Sequence, residues 1–318
     1  MLDPEAHEML ARVASMYYEQ DMTQNEIADE LGISRVKVYR LLRESRSRGV
    51  VQISIDWPIK RDAALERALA EAFALDEALV LRTALEQPLP VLRQLGYLGA
   101  RYLEGLLKDI SSLAICLGRS TFEVINAIRP DLQAHIRIVQ AIGSMPYPRE
   151  EYDSSMLARQ LAQKLGGQVV YLNSPLMADT AHAAQVIRSQ RNIQHALTMA
   201  SSADIALLGI GNLDPQMSGF IREGFLNEDE LAAFAQDGAV GDLAWRIFTQ
   251  QGAIFPCDFN ERVIGISLED LRRIPTTVAV AAGSAKVPAM VGALRLGVIN
   301  VLCTDDKTAS ALLRFIQH

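Results

Sequence analysis

Two groups of side chains in this sequence are of types that can do chemistry. The first is a run of cations. Arg35, Lys37, Arg40, Arg43, Arg46 and Arg48 stand close together beside one acid, Glu44, in a chain whose net charge is −7. Cations concentrated locally on an acidic protein suit a polyanion, because nucleic-acid binding depends on setting positive charge against phosphates. The second group lies in four loops that leave apolar runs. Gly118-Arg119-Ser120-Thr121 joins two hydroxyls and an arginine to the start of a helical stretch. Backbone amides there suit an anion such as phosphate, and an ordinary helix cap has the same look. Gly209 and Gly211 follow a buried run and permit either close ligand approach or a tight turn. Asp242, after Gly238-Ala239-Val240-Gly241, caps a helix or accepts the hydroxyls of a polyol. Lys286, in the stretch from Ala282, has the wrong sign for a helix N-terminus. It is either a surface lysine or the partner of an anionic ligand.

No catalytic pair accompanies these loops. There is no Ser-His-Asp order, nucleophile elbow, Walker lysine or complete dinucleotide fingerprint. His7, His135, His182, His195 and His318 lack metal-ligand spacing, so neither metal nor cofactor is expected. Cys116, Cys257 and Cys303 are odd in number and far apart, as in a reduced cytoplasmic protein. No apolar run is long enough for a membrane span, and the acidic start is unlike a signal peptide.

The elements that position the cations read as a helix-turn-helix. Thr23 and Glu26 have the spacing of a capping box, Gly32 suits a left-handed helix end, and Ser34 caps a second helix. Ile27, Ala28 and Leu31 supply the buried side of the first helix, and Val36, Leu41 and Leu42 that of the second. A basic second helix after a tight turn fits a major groove of double-stranded operator DNA. Ser34, Arg35, Lys37 and Val38 are then placed for base edges, and Tyr39 and Arg40 for bases or phosphate. Thr23 and Gln24 sit at the first helix's start, where Gln24 suits a phosphate, and Arg43 and later cations suit the backbone. Leu10, Val13, Ala14, Met16 and Tyr17 make a supporting helix, and residues 50–55 alternate like a small wing strand.

At 318 residues the chain calls for two domains. The boundary falls at Asp56-Trp57-Pro58: a reader over 1–56 and a larger domain over 57–318. Residues 62–75 form a connecting helix that can also serve as a dimer contact. Strands and helices then alternate, with apolar strands at 113–117, 136–142, 205–210, 277–281 and 299–303. A short strand is expected at 263–266, and helices at 228–236, 242–250 and 285–296. Uniformly apolar strands between helices imply a parallel α/β sheet covered on both faces. Ligands of such sheets bind at the carboxyl ends of the strands, near a switch point.

Taken together, these blocks resemble the SorC family of bacterial transcription regulators, which includes DeoR-type deoxyribonucleoside and central glycolytic repressors. YYEQDMTQNEIADELGISRVKVYRLL is similar to the family's DNA reader. LARQLAQKLGG, DIALLGIG, DGAVGD, VIGISLEDLRRIP and INVLCTDDKTASALL are similar, in order, to blocks of its sugar-binding domain. The resemblance implies a Rossmann-like α/β domain of the sugar-phosphate isomerase and coenzyme A transferase type, used for sensing. It implies a sugar, sugar alcohol or phosphorylated sugar as effector, and a dimer or tetramer. It assigns Gly118, Ser120 and Thr121 to a phosphate loop, and Gly209, Gly211, Asp242 and Lys286 to the ligand. Gln140, Asp153 and Ser154 are additional candidates. Ala282 stands where the family has glycine, and GSMPYPREEYD replaces a more Gly-rich turn. The competing reading is an isomerase-like enzyme bearing a DNA-binding head, with Asp242 as its base.

Overall fold

A computed structural model describes residues 4–51, 58–85, 87–130, 132–145 and 152–317. The chain divides into two compact units, Met1–Asp56 and Trp57–His318.

The first unit is helical: α1 (Pro4–Tyr18), α2 (Gln24–Leu31) and α3 (Arg35–Ser47). Its helix ends follow from local chemistry. The Glu26 amide donates to Thr23 Oγ1 at 3.3 Å, and Glu26 Oε2 accepts from the Thr23 amide at 2.8 Å. Gly32 ends α2 at φ 63°, the left-handed region that glycine adopts without steric cost. Ser34 Oγ accepts from the Lys37 amide and starts α3. Val13, Met16, Ile27, Ala28, Val38 and Leu42 form the small core where the three helices meet.

One sequence expectation is overturned here. Val38 is fully buried and therefore unavailable to base edges, whereas Val36, expected to pack inward, is 60% exposed. Val38, Leu42 and Ser45 are all buried, at the i, i+4, i+7 spacing of one helix face, and Val36 lies off that stripe. The spacing was present in the sequence and would have selected the right valine. Of the wing strand expected over 50–55, residues 52–55 lie outside the described residues.

The second unit begins with α4 (Ala63–Phe73), β1 (Glu77–Leu81), α5 (Pro88–Leu106), β2 (Ser112–Ile115), α6 (Arg119–Ala127) and β3 (Arg137–Gln140). It continues through α7 (Ser154–Leu165), β4 (Gln168–Val170), α8 (Ala181–Arg188), α9 (Arg191–Ser201) and β5 (Ile205–Asn212). Next come α10 (Gly219–Arg222), α11 (Glu228–Gln236), β6 (Ala239–Leu243), β7 (Arg246–Thr249), α12 (Asp258–Arg262) and α13 (Leu268–Leu271). The last elements are β8 (Thr276–Val280), a 3-10 turn (Ser284–Lys286), α14 (Val287–Arg295), β9 (Val301–Asp305) and α15 (Asp306–Phe315).

The main sheet runs β1-β9-β8-β5-β2-β3-β4, and every pairing along it is parallel. Successive strand residues enter opposite layers. Ala114, Ala206, Leu208 and Ala279 pack with α4, α14 and α15 on one face. Leu113, Ile115, Leu207 and Val278 pack with α5, α6 and α7 on the other. With both faces covered, the central strands are predominantly apolar, with polar residues mostly at their ends. From β2 the chain builds outward to β3 and β4, and from β5 it builds the opposite way to β8 and β9. The β2/β5 boundary is therefore the switch point, where the loops leaving the two strands diverge and open a crevice.

Two elements differ from the sequence reading. Residues 242–250, expected as a helix, form the β6–β7 hairpin, and Asp242 pairs with Gly211 of β5 instead of capping a helix. The turn holds Ala244 at φ 48° and Trp245 at φ 62°. Two non-glycine residues there carry no local hairpin signal. Packing supplies it: the buried Trp245 ring stands edge-on to Phe220 and Phe225, with centroids 5.0 Å away in each case. Residues 263–266, expected as a strand, make only isolated bridges, Val263 with Met177 and Gly265 with Ile142.

Candidate nucleic-acid interface and effector site

On α3, Arg35, Lys37, Tyr39, Arg40 and Arg43 are exposed, and Ser34 and Thr23 are exposed at their caps. Gln24 is half-buried at the start of α2. The cations thus form one solvent-facing side of a helix whose other side is core. Arg46 is held differently: its Nε donates to Tyr18 Oη at 2.8 Å, which ties the end of α3 to α1. Arg48 pairs with Glu44 at 2.5 Å. The free cationic face therefore runs from Arg35 to Arg43 and includes the N-terminal turns that enter a groove in this motif.

In the second unit, four of the loops singled out by the sequence meet at the carboxyl end of β5. Ser120, at the head of α6, packs against Gly209, where a Cβ would lie 3.3 Å from the serine Cβ. At Gly211 a Cβ would overlap Asp242 Oδ1, so this residue has to be glycine for the carboxylate to sit beside the strand. Lys286 Nζ donates to the Ile210 carbonyl at 2.7 Å, and Asn212 Nδ2 to Ala285 O at 3.5 Å. No side chain caps α6, whose N-cap is Gly118. Thr121 Oγ1 and Asn212 Oδ1 are buried without a hydrogen-bond partner among the described residues. Such atoms cost roughly 1–3 kcal/mol each, a cost that a polar ligand can remove.

Electrostatics couple the same residues. Burial pushes the Asp242 carboxyl up to about 6, against the opposing pull of Lys286. Burial lowers the Lys286 ammonium, with Asp242 opposing that shift and Arg119 adding to it. Lys286, Arg119 and a carboxylate of reduced acidity thus lie near one another beyond the end of β5, beside Ser120 and the uncapped start of α6. Cations and uncapped helix amides are of types that suit a phosphate, and a carboxylate is of a type that accepts hydroxyls.

Gln140 stands apart from this group. Its Nε2 reaches Ile142 O, Ser144 Oγ and Ser154 Oγ at 2.9–3.0 Å, and its Oε1 accepts from the Leu172 amide. Asp153 caps α7 and accepts from the Met145 amide. These residues, with Ser154, tie down Ile142–Met145, and Gln140 also binds Leu172. Their polar atoms are already engaged by the protein.

Comparison with known proteins gives this geometry its context. Residues 57–314 match the family model described as "Putative sugar-binding domain". The chain is 31% identical to the deoxyribonucleoside regulator of Bacillus subtilis (strain 168), over 98% of this chain and 99% of that one. The chain belongs to the SorC/DeoR family of sugar-binding-domain regulators. It is also 31% identical to the transcriptional regulator LsrR of Klebsiella pneumoniae, over 96% of this chain and 93% of that protein. The full-length sorbitol operon regulator SorC of Klebsiella pneumoniae superposes with a TM-score of 0.73 at 26% identity, over 98% of this chain and all of that one. The family model begins where the second unit begins. Among the described residues no helix is long and apolar enough to cross a membrane.

The Asp242 carboxyl makes a pH prediction for this family member. In the unfolded chain it ionises near 3.8, and in the fold not until about 6. A raised carboxyl favours the fold while protonated. That contribution is complete below the lower value and is lost as pH climbs through the upper one. Asp242→Asn is therefore expected to match the parent at the acid end and to exceed its stability above pH 6 by roughly 2–3 kcal/mol. Urea unfolding from pH 4 to 8 checks this, and a constant difference across that range would refute it.

Proposed function

We propose that this chain is a transcriptional regulator whose operator affinity is set by a phosphorylated sugar or sugar alcohol. Residues 1–56 read double-stranded DNA through α3, and residues 57–318 bind effector and join copies into a dimer or tetramer. The observation that carries the reading is the meeting of Gly118–Thr121, Gly209–Asn212, Asp242 and Lys286 at the switch point of the parallel sheet. In the proposed complex the phosphate rests on the α6 amides and Lys286, and Asp242 accepts hydroxyls. The work assigned to these residues is binding; no bond-breaking step is assigned. Effector binding shifts the population between arrangements of paired reading heads, and operator affinity follows their spacing. Full-length relatives named as transcriptional regulators support this reading.

A thermal-shift screen against matched sugars, sugar alcohols and their phosphates tests it. Ligand at a hundredfold excess over Kd stabilises the native state by roughly 2.7 kcal/mol. A shift with one phosphorylated member, absent with its unphosphorylated twin, is the expected result. A shift only with the unphosphorylated twin would remove phosphate from the Ser120 and Lys286 loops.

A further inference from the structure

α3 presents an apolar pair in the middle of its cationic face. Val36 is 60% exposed and Tyr39 is 54% exposed. They stand three residues apart and so are neighbours on the helix surface. Arg35, Lys37, Arg40 and Arg43 surround them, and the helix carries no acid before Glu44. A β-branched residue in a helix has no propensity advantage, and in water most of this one stays exposed. The ring of cations disfavours an apolar protein partner and suits a polyanionic one. A duplex offers a single apolar group in its major groove, the 5-methyl of thymine, set among polar base edges and flanked by phosphates.

We propose that Val36, backed by the Tyr39 ring, reads a thymine methyl in each operator half-site and is a specificity-determining residue of this regulator. The inference rests on the DNA-reading assignment of α3. It adds what the cations cannot supply, because cation–phosphate contacts position the helix without distinguishing sequence. Val36 sits in the first turn, at the depth where side chains of a recognition helix reach base edges.

The test uses the full chain and a library of random-sequence duplexes. Sites selected by the parent protein are expected to contain a thymine that Val36→Ala no longer requires. Replacing that thymine by uracil removes only the methyl. The parent is expected to lose about fourfold in affinity per half-site, as for one apolar carbon returned to water. Val36→Ala is expected to bind the two duplexes equally, so the two changes are non-additive. Val36→Ala removes nothing from the core, and an unchanged melting temperature verifies that the variant folds. A uracil penalty that persists undiminished in Val36→Ala overturns the proposal, as does a selected site with no thymine whose methyl matters. Failure to bind any duplex even at low salt would instead overturn the underlying assignment of α3.

Discussion

Lys286→Met is expected to leave operator binding intact in the absence of effector and to raise the effector concentration needed to change operator affinity roughly ten- to 150-fold. The range follows from a charge-assisted hydrogen bond worth roughly 1.5–3 kcal/mol. The reasoning is local. Lys286 Nζ stands at the exit of β5, on the Ile210 carbonyl, with Arg119 and Asp242 acting on its charge. A phosphate there gains an ionic hydrogen bond that methionine, with a similar stem and no charge, does not offer. The 3-10 turn and α14 that follow have their own backbone and apolar contacts, so the fold persists. The measurement is a gel-shift titration of operator DNA with increasing effector. A normal response in the variant would take Lys286 out of the pocket. Removing the lysine also frees Asp242 from the cation that lowers its pKa, so Asp242 is expected to hold its proton to still higher pH.

Arg40→Ala is expected to weaken operator binding by roughly 1–3 kcal/mol, about five- to 150-fold at fixed salt. Arg40 is exposed on the free face of α3 and forms no ion pair among the described residues. Its loss therefore leaves unit 1 folded. The manner of the loss separates two roles. A base contact relaxes specificity at one position, whereas a phosphate contact weakens all sequences alike and flattens the salt dependence by about one counterion. Val38→Ala is the contrast, since Val38 is fully buried among α1, α2 and α3. It acts through the stability of the reader and lowers affinity for every sequence. Unchanged affinity in Arg40→Ala would withdraw the first half of α3 as the groove-facing segment.

The reader's helix ends were legible because their chemistry is contained in a few consecutive residues. Thr23 with Glu26, Gly32, and Ser34 with Lys37 interact across three positions or fewer. The parallel sheet was legible for a related reason. Strands buried on both faces are predominantly apolar, and 113–117, 205–210 and, apart from Thr277, 277–281 satisfy that without reference to their neighbours. What was less legible depended on which of two similar residues a distant surface selects. Val36 and Val38 are the same residue type, and it is the spacing of Val38 with Leu42 and Ser45, rather than residue type, that marks the valine which α1 and α2 bury.

By itself the sequence determined the helix-turn-helix, its cationic face and the α/β class, and it singled out the loops that gather at the end of β5, since all of these rest on local spacing and composition. Tertiary structure alone decided that Asp242 lies on a strand. The Phe220 and Phe225 rings hold Trp245 and with it the hairpin turn, and β6 then pairs with β5 some thirty residues earlier in the chain. It also decided that Ser120 meets Gly209 and Lys286 bonds the Ile210 carbonyl, and that Gln140 is engaged by Ile142, Ser144, Ser154 and Leu172. Those outcomes follow from strand order and register, which place residues far apart in the chain within hydrogen-bond distance. A linear pattern carries no term for that distance, whereas a packed sheet fixes it.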